Sequence, residues 1–252
     1  MTAAAARKAL RRHANPKKAK TYRGFFKDTK NDEFLGVTTP LLRGVAKEFH
    51  DLGFDHLKEL ITSNVHDERS LAHAILRLQF KKADDIAQRK IFEFYMEHRG
   101  SIRQWDGVDD SAPYIVGPYL MERGRELLYR MAIAKSMWDR RIAMVSTWHF
   151  IRNGDVDDAF KLAEKLLDDD EDLIHKATGW MLREAGKKDM PRLKAFIKKN
   201  GPRMPRTTLR YAIERFPEKE RKALLAETPK PIKRAKPAAK AKRTAPARKK
   251  RK

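Results

Sequence analysis

Apolar residues recur every three or four positions along almost the whole chain, and no segment sustains the two-residue alternation of a half-buried strand. Leu71, Ile75 and Leu78 line one face of ERSLAHAILRLQF. Ile142, Val145 and Trp148 do the same in RRIAMVSTWHF, and Ala177, Thr178 and Met181 in IHKATGWMLREA. Breakers interrupt the pattern at Gly36 to Pro40, Gly53, Gly100, Asn153–Gly154, Gly186 and Asn200–Gly201–Pro202, so the helices are short and numerous. The spacing predicts helices near 3–14, 17–28, 39–50, 54–63, 67–79, 83–98, 101–109, 113–120, 121–134, 138–152, 155–168, 171–185, 189–198, 203–215 and 217–225. The acids of DVDDAF and the proline of DMPRLKAF suit first turns, where free amides accept carboxylates and proline loses no bond.

The pattern also repeats at longer range. Basic residues open successive helices at Arg69, Arg141, Lys176 and Arg206, spaced 72, 35 and 30 residues apart. A period of about 30 to 40 residues with two helices per unit marks stacked helical hairpins, each burying its apolar face only against its neighbours. The expected fold class is all-α, a curved α-solenoid whose second helices line a concave surface. An irregular helical bundle is the competing architecture.

Charge narrows the choice of partner. Lys+Arg number 57 and Asp+Glu 34, a net +23, beyond what solubility requires. Residues 226–252 carry twelve basic side chains and one acid, Glu227, leaving a net +12 on the first 225 residues. The segment has four prolines, and Ile232 is its one aliphatic residue larger than alanine, so it cannot offset the entropy of ordering itself. The expected division is a folded domain at 1–225 and a disordered Lys/Ala/Pro-rich tail at 226–252. The tail reads as a sequence-blind nucleic-acid arm, with a solubilising appendage as the alternative. No run reaches the length of a membrane-spanning helix. The N-terminus is basic and lacks the apolar core of a secretory signal, so it reads as the first helix. With no cysteine, the chain has no disulfide, thiol nucleophile or cysteine-ligated metal.

Four tryptophans stand out. Trp148 lies among Val145, Phe150 and Ile151 and reads as core; Trp138 opens a helix and reads as a seam with the one before. Trp105 and Trp180 have two readings, inter-helix packing or flat faces offered to sugar or base. Beside Trp105, Asp106, Asp109 and Asp110 share one helical face. They are either a cap with solvated acids or, if turned inward in a basic groove, the counterpart of something positive. The histidines are scattered without ligand spacing, and neither a Ser–His–Asp order nor a glycine-rich phosphate loop is present, so no metal or cofactor is expected. Arg140, Arg141, Lys176, Arg183, Arg203, Arg206 and Arg210 place cations on neighbouring repeats, with phosphate gripping or ion pairing to Asp139 and Glu184 as the alternatives.

The ordered set FLGV (34–37), WDGVD (105–109), W-x-x-R (138–141) and KATGWMLRE (176–184) resembles the bacterial DNA alkylation repair family of HEAT-like-repeat glycosylases, the AlkD type. The resemblance covers about residues 5 to 220 and excludes the tail. It implies a monofunctional, metal-free enzyme, acting as a monomer in the nucleoid-associated cytoplasm on double-stranded DNA containing cationic N3- or N7-alkylated purines. It implies hydrolysis of the N-glycosidic bond with the damaged base left in or near the stack. The family's essential aspartate falls on Asp109, its tryptophans on Trp105 and Trp180, and its arginine on Arg141, expected to hold a phosphate. The aromatic residue ahead of the FLG motif, usually tyrosine, falls on Phe25, which lacks the hydroxyl. A relative that kept the groove and lost catalysis, a binding or architectural protein, is the alternative reading.

Overall fold

The computed structural model describes residues 1–27 and 29–227. Among them, fifteen α-helices follow one another: α1 (Ala3–Arg11), α2 (Pro16–Arg23), α3 (Thr39–Glu48), α4 (Phe54–Ile61), α5 (His66–Lys82), α6 (Asp85–His98), α7 (Trp105–Asp109), α8 (Val116–Met121), α9 (Glu126–Met131), α10 (Met137–Arg152), α11 (Asp157–Lys165), α12 (Asp172–Gly186), α13 (Met190–Asn200), α14 (Arg206–Ala212) and α15 (Glu218–Glu227). The described residues form no strand, only an isolated bridge between Glu33 and Val65.

Caps fix many helix starts. Thr2, Asn15, Asp84, Ser136 and Asp189 each accept the amide three residues on, satisfying a donor the helix itself leaves free. Pro191 and the acids Asp157 and Asp158 stand in the first turns where the sequence placed them. Successive inner helices pack side by side, α10 on α12 and α12 on α14, with α11 and α13 behind them. Toward the N-terminus α5 packs against α3 and α4, and α7 lies between α5 and α10. One continuous apolar core runs through the stack, from Leu10 through Leu76 and Phe150 to Ile213. This is an α-solenoid of helical repeats.

Several helices are shorter than their apolar pattern suggested. The helix expected over 17–28 stops at Arg23, because the following chain has better partners than itself. Asn15 donates to the Leu35 carbonyl, His66 to the Glu33 carbonyl, and Leu35 and Val37 to the two oxygens of Asp67. Gly36 makes that path possible, with φ +76° and backbone packed so closely on α2 that a Cβ would lie 2.4 Å from the Ala19 nitrogen. The helix expected over 101–109 is a 3-10 turn at Arg99–Ser101, an extended link and the five-residue α7. At the other end α15 continues to Glu227, past the expected boundary at 225. The remainder of the expected tail lies outside the described residues.

Candidate active site

Asp109 and Arg141 come together on α7 and α10, 32 residues apart in sequence. Arg141 donates Nε to Oδ1 at 3.0 Å and Nη2 to Oδ2 at 2.8 Å, while its Nη1 donates to the carbonyl of Leu173. This is the bidentate fork that arginine makes with carboxylates. Arg141 is 4% exposed, whereas the Asp109 side chain keeps 18% of its surface. Each carboxylate oxygen offers two lone pairs, so Arg141 leaves Asp109 capacity toward the open side. Burial raises the Asp109 carboxyl's pKa, Asp106 and Asp110 add to that, and Arg141 opposes it. The expectation that Arg141 holds a DNA phosphate is corrected here. Its fork is already filled, and its role in this arrangement is to aim Asp109.

A second buried network holds α7 in place. His66, at the first position of α5, donates or accepts at Nε2 with Asp106 Oδ2, 2.8 Å away, and its Nδ1 lies 3.9 Å from Asp67. Burial alone would depress His66, but the two carboxylates outweigh it and raise its pKa to about 9. An imidazolium therefore links the 33–37 segment, through Asp67, to the first turn of α7. Phe34 stacks on its ring at 4.7 Å, and Phe26 lies 5.1 Å from it. Behind them Arg69, 3% exposed, contacts Asp32 at 3.0 Å and donates to Gln104 at 2.7 Å, while Gln104 donates to Asp32. Sequence reasoning missed His66, Asp67 and Asp32, because each acquires its partner only through long-range packing.

The aromatic residues divide. Phe26 packs 5.5 Å from Trp105, while Phe25 is 62% exposed and stacks on Tyr22. The ring that meets Trp105 is thus Phe26, a correction to the placement on Phe25. Trp105 and Trp180 are half-buried, and Trp180 packs on the core. Trp138 and Trp148 are also partly buried against it, and Trp148 meets Tyr114 edge-on at 5.5 Å. Trp180 follows Gly179, where a Cβ would lie 2.5 Å from the Thr208 carbonyl oxygen of α14. Only glycine lets the two helices approach so closely.

A pattern matching the family described as DNA alkylation repair enzyme covers residues 6–216. The chain belongs to this family. Among solved structures it is similar to one titled a predicted DNA alkylation repair enzyme from Enterococcus faecalis, at 16% identity and TM-score 0.64, covering 82% of this chain and 98% of that one. No curated protein matches its sequence.

For a member of this family the basic residues matter, and they are not equivalent. Arg140 chelates Asp169 and caps the carbonyls of Ala134 and Lys135, so it ties α10 to its neighbour and is not open to a phosphate. Arg183 pairs with Glu184 and Glu214, and Arg206 donates to the Leu225 carbonyl. These three expected DNA contacts are structural ties in this fold. Lys176 pairs with Asp172 at 2.9 Å and Arg203 with Asp168 at 2.6 Å, both partly exposed. Arg210 is exposed and has no ion pair among the described residues. No helix is long and apolar enough to cross a membrane among the described residues.

Proposed function

We propose that the protein is a DNA glycosylase that hydrolyses the N-glycosidic bond of cationic N3- or N7-alkylated purines in duplex DNA. The observation that carries this reading is Asp109: a carboxylate forked by a buried arginine yet partly open, in a chain whose first 225 residues carry +12. An acid in a basic groove repels phosphates, so it needs a positive counterpart. The departing alkylpurine supplies one. It leaves as a neutral base without being protonated, and the deoxyribose left behind becomes oxocarbenium-like. A fixed carboxylate stabilises that charge electrostatically and orients the attacking water. Arg141 holds the carboxylate ionised and aimed. Trp105, braced by Phe26, and Trp180 offer flat faces to the sugar. Lys176, Arg203 and Arg210 contact backbone phosphates; the surface ion pairs of the first two are worth only about 0–1 kcal/mol and exchange readily.

The test is incubation of the purified protein with duplex DNA carrying N7-methylguanine, in EDTA, followed by detection of free base. Release of methylguanine supports a glycosylase that needs no metal. Tight binding without release identifies instead a family member that kept DNA binding and lost the reaction.

A further inference from the structure

Trp105 also forms the wall of a cleft of about 900 Å³ bounded by α3, α5 and the segment from α7 to α8. Its floor is apolar, built from Val37, Leu42, Ala74 and Leu78. At the α7 end two carboxylates, Asp106 and Asp110, stand one helical turn apart beside the rings of Trp105 and Phe26. Asp106 is engaged with His66. The Asp110 carboxylate has no hydrogen bond and no ion pair among the described residues. Burial and the charge of Asp106 raise its pKa, against Arg77 and Arg43, so it sits in a site short of positive charge. Along the α3 side the same cleft is lined by Arg43 and Lys47.

This distribution selects a ligand. Rings beside an unpaired carboxylate recognise a flat cation, and the two basic side chains recognise an attached phosphate. A neutral base would gain only the stacking, an aliphatic chain would leave Asp110 unused, and a bare phosphate would be repelled by it. The volume lies in the range of about 300–1,000 Å³ that encloses a small ligand. We propose that this cleft seats the alkylated purine nucleotide swung out of the duplex, its cationic ring against Trp105 and Asp110 and its phosphate toward Arg43 and Lys47. The inference rests on the glycosylase reading for the choice of ligand, and it departs from the family expectation that the base stays in or near the stack. A damaged purine leaves its stack more easily than an intact one, which would let the cleft select lesions.

The experiment is calorimetric titration of the full chain, without DNA, with 7-methylguanosine 5′-monophosphate and with GMP, at mildly acidic pH where the methylated ring keeps its charge. The methylated nucleotide is expected to bind about tenfold more tightly, the scale of a cation–aromatic contact strengthened by a carboxylate. Asp110→Asn should remove that preference while leaving GMP binding unchanged. Ala74→Trp, which fills the floor, should abolish both; where it does not fold, judged by circular dichroism, Asp110→Asn alone decides. Equal affinities for the two nucleotides, absence of saturable binding, or an unaltered preference in Asp110→Asn would overturn the proposal. No excision is involved in this measurement. Binding by a protein that releases no base would sink the glycosylase reading alone, and excision without nucleotide binding would sink the cleft alone.

Discussion

Arg141 carries the sharpest distinction between what a residue type suggests and what its surroundings permit. As a residue in a basic chain it reads as a phosphate clamp; with both arms of its fork on Asp109 and the third nitrogen on Leu173, it has nothing left to offer a phosphate. Lysine keeps the charge but not the planar fork. Arg141→Lys is therefore expected to slow single-turnover excision by about 10²-fold, the scale of a catalytic group misplaced by about 1 Å. The log–log salt slope of DNA binding should stay at the wild-type value, because no counterion-releasing contact has been removed. A slope reduced by about one phosphate's worth would restore the clamp reading. The residues WDGVD, W-x-x-R and GW were legible in the sequence, because each is rare and ordered along the chain. Their pairing was not: the Asp109–Arg141 contact spans 32 residues and exists only once α7 is laid against α10. The choice of Phe26 over Phe25 was equally hidden, because the two are adjacent and the turn after α2 decides which ring faces Trp105.

At the scale of elements, α7 is too short to hold itself in place, and the His66 network holds it. The sign of its pH dependence follows from the raised pKa. A histidine at about 9 in the folded chain, against 6.5 as reference, contributes its full stability below the reference value. That contribution is lost as pH rises from there through about 9. Thermal melts across this interval should show a fall in Tm that His66→Gln lacks; parallel curves for the two proteins would contradict the network. The approach of α12 to α14 gives a second element-level expectation. Gly179→Ala forces a methyl into the Thr208 carbonyl and should cost about 1–3 kcal/mol in denaturant unfolding, as overpacking does. Unchanged stability would mean the helices separate freely there. Helix number and order were legible because each apolar stripe is interrupted by glycine, proline or a cap. Boundaries were lost where a backbone found partners outside its own helix, as residues 33–37 do on Asp67 and the start of α5.

For the whole molecule, the repeat that first suggested a solenoid has a physical content the spacing did not reveal. Arg69 and Arg141, which open inner helices in the repeat pattern, each reach both backward and forward, Arg69 to Asp32 and Gln104, Arg141 to Asp109 and Leu173. Basic residues read as a groove lining are in these cases stitches between successive units. The long-range attraction for DNA then falls more heavily on exposed cations and on the tail, whose +11 is nearly half the net charge. Deleting residues 228–252 should leave Tm nearly unchanged and weaken binding to undamaged duplex at low salt, with the deficit closing as salt screens both proteins. Identical binding curves at low salt would assign the tail to solubility.

Everything functional in this account converges on the charge of one carboxylate. Asp109→Asn keeps the side chain's shape and removes that charge, so the measurement is single-turnover release of N7-methylguanine from saturating duplex by the two proteins. The account predicts free base from the wild-type chain, release slower by about 10²-fold or more in the variant, and DNA binding retained by both. A variant that releases base at the wild-type rate would contradict it.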